Sequence, residues 1–131
     1  MIRIEKLRPE GLVHSPAFSH VAIVPPGATT IYVGGQNAVD ADGKLVGAGD
    51  VAAQATRAVE NAITALAAAD ATPADVVQWT VLIAKGADLG AAYGAIAARI
   101  ASPEPPLVTA AVVASLAVPG ALIEVSAVAA R

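Results

Sequence analysis

The chain has 131 residues, enough for one compact domain, and its 56% hydrophobic content with only 3% aromatics demands a core of Ala, Val, Leu and Ile. Eight Lys and Arg against 11 Asp and Glu leave a net charge of −3, which provides no basic field for a phosphate backbone and argues against nucleic-acid binding. Cysteine is absent, which excludes disulfides, thiolate nucleophiles and cysteine-ligated zinc.

The opening Met1–Glu10 is charged along its length and has no apolar run, so it does not read as a signal peptide; the cytoplasm is the expected compartment. Three short strands follow one another, Ile2–Leu7, Phe18–Val24 and Thr30–Gly34, with Pro25-Pro26-Gly27 turning between the last two, as in a β-meander. Asp40-Ala41-Asp42-Gly43 is a turn, and Gly49-Asp50 is a stop-and-start signal that makes Asp50 the N-cap of a helix. That helix is predicted over Val51–Ala69, with Val51, Ala55, Val59, Ala62, Ile63 and Leu66 on its apolar face and Gln54, Arg57, Glu60 and Thr64 elsewhere on the surface.

Thr72-Pro73-Ala74-Asp75 reads as a single helical turn leading into a strand at Val76–Ala84. A second helix starts near Asp88, carries Leu89, Tyr93, Ile96 and Ile100 on one stripe, and stops before Pro103. The last strands, Leu107–Leu116 and Ala121–Ala129, are predicted as a hairpin around Pro119-Gly120. Pro105 to Ile123 carries no charge, yet the prolines and Pro119-Gly120 leave a stretch of roughly 18 Å as a helix against a hydrocarbon core of about 30 Å, so no membrane span is expected. The order βββ-α-β-α-ββ over residues 1–131 predicts one α+β domain, a mixed sheet with two helices on one face. The other face then needs cover, and a partner subunit is its natural source.

Several residues are candidates for chemistry. Glu124 lies in Leu122-Ile123-Glu124-Val125-Ser126-Ala127-Val128, the most apolar quarter of the chain, where alternation points it the same way as Leu122, Ser126 and Val128. A buried lone carboxylate is costly, so Glu124 reads either as an acid–base or water-orienting group or as a structural acceptor for backbone amides. Gly34-Gly35-Gln36-Asn37 offers close backbone approach to a ligand, or else marks a bulge. His14 and His20 lie near Ser15 and Ser19, but no elbow motif surrounds either serine and no metal-ligand spacing is present, so neither a serine hydrolase nor a metal site is expected. Tyr93 and Trp79 read first as packing residues.

The segments Ser15-Pro16-Ala17-Phe18-Ser19-His20-Val21, Ile31-Tyr32-Val33-Gly34-Gly35-Gln36, Gly49-Asp50-Val51-Ala52-Ala53-Gln54, Asn61, Asp75-Val76-Val77 and Leu122–Ala129 resemble the RidA (YjgF) family in order and spacing, over nearly the whole chain. The resemblance implies a chorismate-mutase-like subunit, a homotrimer whose sheets form a central barrel, and small-molecule clefts at subunit interfaces. Active members hydrolyse imines and enamines derived from amino acids, such as 2-iminobutanoate, without a cofactor. It further implies that Glu124 holds or activates water and that backbone groups at Gly35 and Thr109 line the cleft.

The family's Pro-Ala-Arg-Ser/Thr segment falls on Pro106-Leu107-Val108-Thr109, so Val108 stands where the carboxylate-binding arginine is expected. The usual tyrosine near the N-terminus appears as Ala17 beside Phe18, and the second-helix asparagine falls near Tyr93. The site candidates are therefore Glu124 as the catalytic residue and Phe18, Gly35, Gln36, Tyr93, Val108 and Thr109 as ligand-binding residues, with no metal. Two functions fit: a deaminase-like hydrolase acting on a neutral imine, enamine or related carbonyl compound, and a non-catalytic small-molecule-binding or regulatory trimer. Ribonuclease activity, attributed to some relatives, fits poorly with the acidic balance.

Overall fold

The computed structural model describes residues 3–131, so the predicted start of the first strand at Ile2 lies outside the described residues. In chain order the elements are β1 (Glu5–Leu7), β2 (Val21–Ile23), β3 (Thr30–Gln36), α1 (Val51–Ala68), a 3-10 turn (Pro73–Asp75), β4 (Val76–Ala84), α2 (Leu89–Ile100), β5 (Leu107–Val113) and β6 (Ile123–Ala130). Four strands form a mixed sheet in the order β3-β6-β4-β5, and β1 and β2 pair separately as a two-stranded ribbon. Both helices cover one face of the four-stranded sheet.

Local chemistry sets the helix boundaries. Asp50 accepts the Ala53 N–H at 3.0 Å and Asp88 accepts the Ala91 N–H at 3.0 Å, each satisfying a donor that the helix leaves open. Between them, the Asp75 carboxylate accepts the Thr72 N–H at 2.9 Å and fixes the single turn before β4. The core joins Val51, Ala55, Val59, Ala62 and Leu66 of α1 to Trp79, Val81 and Ile83 of β4 and Ile123, Val125 and Ala127 of β6. Among the described residues, no helix is long and apolar enough to cross a membrane.

Two pairings differ from the sequence expectation. β5 and β6 are not a hairpin: β6 inserts between β3 and β4, antiparallel to both, while β5 runs parallel to β4 at the sheet edge. A parallel neighbour needs a crossover, and α2 supplies it between β4 and β5. The first three strands are likewise not one meander, because β3 leaves the ribbon to pair with β6.

Gln54 is also misplaced by its polarity. It is fully buried, where its amide nitrogen donates to Gly47 O at 3.2 Å and Gly120 O at 3.3 Å and its oxygen accepts the Leu122 N–H at 2.8 Å. One side chain thereby ties α1 to the Gly47 loop and to the segment before β6. Asn61 does similar work, donating to the carbonyls of Asn37 and Val39 and holding the loop after β3 against α1.

Candidate functional site

Alternation along β4 and β5 divides the site candidates between the two faces of the sheet. In the parallel register Val108 pairs with Trp79 and Ala110 with Val81, so these side chains share the helix-covered face. There they line a cavity of about 920 Å³ together with Phe18, Tyr93, Ile96, Ile100 and the prolines 103, 105 and 106. No charged side chain is on its wall; only Trp79, Tyr93 and Ser102 bring polar side-chain atoms. This volume falls within the range of small-molecule sites.

The N-terminal segment supplies part of the wall through Pro16, Ala17 and Phe18. Phe18 meets the His20 ring edge-on with centroids 5.4 Å apart, and His20 Nε2 donates to Val13 O at 2.7 Å. Ser15 Oγ accepts the Ala17 N–H at 3.0 Å. His20 and Ser15 thus act in shaping this loop. Tyr93, expected to pack in the core, is 43% exposed, because only Ala92 and Ile96 of α2 turn fully inward. Trp79 is a packing residue as expected, 1% exposed, and is a cavity wall as well.

Glu124 lies on the opposite, helix-free face. It pairs across β4 with Leu82, while its neighbours Ile123 and Val125 are buried on the helix side. The alternation expected for Glu124 holds, but the deep burial does not: in the single chain it is half-buried. Its carboxylate rests on Gly35, where a Cβ would come within 2.8 Å of both Cδ and Oε2. Gly35 is able to receive it because β3 bulges here: Val33 pairs with Ala127 and Gln36 with Val125, so β3 carries one more residue than β6 across this step.

Gln36 folds back, its amide donating to Gly34 O at 3.3 Å. Thr109 shares the helix-free face, where its hydroxyl accepts from Gln78 Nε2 at 3.0 Å, but β4 separates it from Glu124. The structure therefore brings Phe18, Tyr93 and Val108 together, sets Glu124 on Gly35 with Gln36 adjacent, and leaves Thr109 apart from both groups. Sequence reasoning passed over the walls supplied by Ala97, Ile100, Pro103 and Pro105. Their small or cyclic apolar side chains carry no signal of a site beyond the Pro-rich break itself.

A smaller polar pocket of about 250 Å³ lies beyond Pro103 and Pro105, lined by Lys6, Arg8, Ser19 and Glu104. Burial pushes the Lys6 ammonium below the usual lysine range, partly offset by the charges of Glu104 and Asp75. The ammonium donates to Glu104 O at 3.1 Å.

Two helices over one face of a four-stranded mixed sheet, with a cavity walled by the second helix and the edge strand, define an α+β domain with a candidate small-molecule site. The family model described as Endoribonuclease L-PSP matches residues 12–131. A Rid-family protein of unknown function from Yersinia pestis, YyfB, is 33% identical over 98% of both chains, with a TM-score of 0.85. RidA from an Antarctic Psychrobacter is 25% identical, covers 99% of this chain and 98% of its own, and has a TM-score of 0.71. No curated protein matches the chain. The chain belongs to the RidA/YjgF family.

Proposed function

We propose that the protein is a homotrimeric, deaminase-like hydrolase in which the cavity of one subunit and the Glu124–Gly35 pair of another close around one small molecule. The observation that carries this reading is the division of the site: the cavity and Glu124 lie on opposite faces of one sheet, so a second copy is needed to unite them. In the joined cleft the Glu124 carboxylate takes a proton from water as its oxygen attacks the carbon of a C=N bond. The acid returns that proton to nitrogen, giving a carbinolamine; it then relays the second proton, from the new hydroxyl, to nitrogen as the C–N bond breaks, so that ammonia leaves and a carbonyl group remains. No cofactor takes part in this sequence.

Val108 determines which substrates are lost. A charged hydrogen bond contributes about 1.5–3 kcal/mol, and a family arginine would make two to a substrate carboxylate. With valine there, and no charged side chain elsewhere on the wall, 2-iminobutanoate should bind weaker by roughly two orders of magnitude or more. A wall without basic side chains and a net charge of −3 likewise disfavour RNA as substrate.

The test is a coupled assay with 2-iminobutanoate generated from threonine. The wild-type protein should give little or no turnover, and Val108→Arg should create it. Glu124→Ala in that background should abolish it while leaving the trimer intact. Wild-type activity near that of arginine-bearing relatives would overturn the reading. A trimeric Val108→Arg protein that neither binds a 2-oxo acid nor turns over the imine would favour the second reading, a non-catalytic binding trimer, which gains support from the distance between Glu124 and the cavity of its own chain.

A further inference from the structure

We infer that Trp79 selects the ligand, offering its indole N–H to an uncharged, largely apolar molecule that carries a carbonyl oxygen or an imine nitrogen. This rests on the reading of the cavity as the ligand cleft and names the chemistry that the cleft accepts.

Trp79 is the one tryptophan of the chain, is 1% exposed, and sits beside Val108 in the β4–β5 register, both on the cavity wall. Its Nε1 is buried and has no hydrogen-bond partner among the described residues. Buried donors are nearly always bonded, because leaving one open forfeits its hydration without return. Of the lining side chains only Tyr93 and Ser102 carry an acceptor oxygen, and neither bonds to it. The N–H has no exposure of its own, so a ligand lodged against Val108 supplies that partner only once the side chains between them move aside.

The remaining chemistry of the wall narrows the class. An anion brought in among prolines, alanines and branched aliphatic side chains loses its hydration and meets no cation. An uncharged ketone or imine with an aromatic or branched aliphatic body loses little hydration, fills the apolar volume, and gains one hydrogen bond. The orientation that follows puts its C=O or C=N bond at the Trp79–Val108 side of the cleft.

Because the chain has one tryptophan, its indole N–H gives a single resolved signal in a nitrogen–proton NMR spectrum. Three probes of similar shape separate the possibilities: acetophenone, ethylbenzene and benzoylformate. Acetophenone should move the indole proton downfield and bind about fivefold to tenfold tighter than ethylbenzene, the gain of one hydrogen bond. Benzoylformate, which adds a carboxylate, should bind at least about tenfold more weakly than acetophenone. Trp79→Phe should bring the ratio of acetophenone to ethylbenzene affinity, measured in the same variant, close to one, whatever the altered wall does to both; if that variant fails to fold, the shift in the wild-type spectrum decides.

Equal binding of acetophenone and ethylbenzene with an unmoved indole signal would overturn the role of Trp79 and leave the cavity reading standing, as would a Trp79→Phe protein that keeps the preference. Benzoylformate binding as tightly as acetophenone would overturn the uncharged class. Binding of none of the three would sink the cavity reading and this inference together.

Discussion

A methyl group at position 35 would lie 2.8 Å from the Glu124 carboxylate, closer than a carbon and an oxygen can stay. The obstructing atoms are the far end of a flexible side chain, so Gly35→Ala should swing the carboxylate aside rather than break the sheet. In the Val108→Arg background we expect this change to remove most hydrolysis while the thermal unfolding temperature moves by only a few degrees; unaltered turnover would show that the Glu124–Gly35 contact does not position the acid. Gln54 presents the opposite case. Replacing it with alanine removes three part-buried hydrogen bonds, to the carbonyls of Gly47 and Gly120 and from the Leu122 N–H, which should cost about 3 kcal/mol in urea unfolding, and a loss under about 0.5 kcal/mol would refute its role as a tie. Nothing local in the sequence marks Gln54 as buried, because its three partners lie in the Gly47 loop and before β6. Glu124 was legible in its facing, since alternation is a local property, but not in its burial, which depends on what covers that face.

Helices in this fold are readable from sequence because every instruction for them is short-range. Asp50 and Asp88 cap the first turns, and three- and four-residue spacing marks the apolar face of α1. Asp50→Ala should therefore destabilise by about 1 kcal/mol, measured by denaturant unfolding, with no effect on the cavity at the other helix. Strand pairing is a different matter. β5 and β6 sit side by side in sequence around a Pro-Gly turn, yet β6 finds two antiparallel partners in β3 and β4, while β5 takes the edge as a parallel neighbour of β4. Joining distant strands buries Ile123, Val125 and Ala127 beneath α1, which a lone hairpin with β5 does not accomplish. The same rearrangement decides the site. It places Val108 next to Trp79 on the cavity side and leaves Glu124 on the other, a division that no spacing along the chain reveals.

At the scale of the whole molecule, the proposed trimer rests on the helix-free face. Tyr32 on this face is 79% exposed, and its partner Val128 and the neighbouring Ser126, Glu124 and Leu82 are only half covered within one chain. A sheet face with so much apolar surface and a single carboxylate is suited to packing against copies of itself. Light scattering at micromolar concentration should accordingly give the mass of three chains, and a monomer would end the trimer reading and the shared cleft with it. Val128→Asp sharpens the test, because it puts a charge into the centre of this face without touching the core beneath the helices. The variant should fold, dissociate to monomers, and keep the apolar cavity, since that cavity is built within one chain. Ethylbenzene should still bind it, whereas Val128→Asp combined with Val108→Arg should show no imine hydrolysis, having lost the partner's share of the cleft. A Val128→Asp protein that remains trimeric would place the interface elsewhere, and a monomeric double variant that retained turnover would show that one chain holds the whole site.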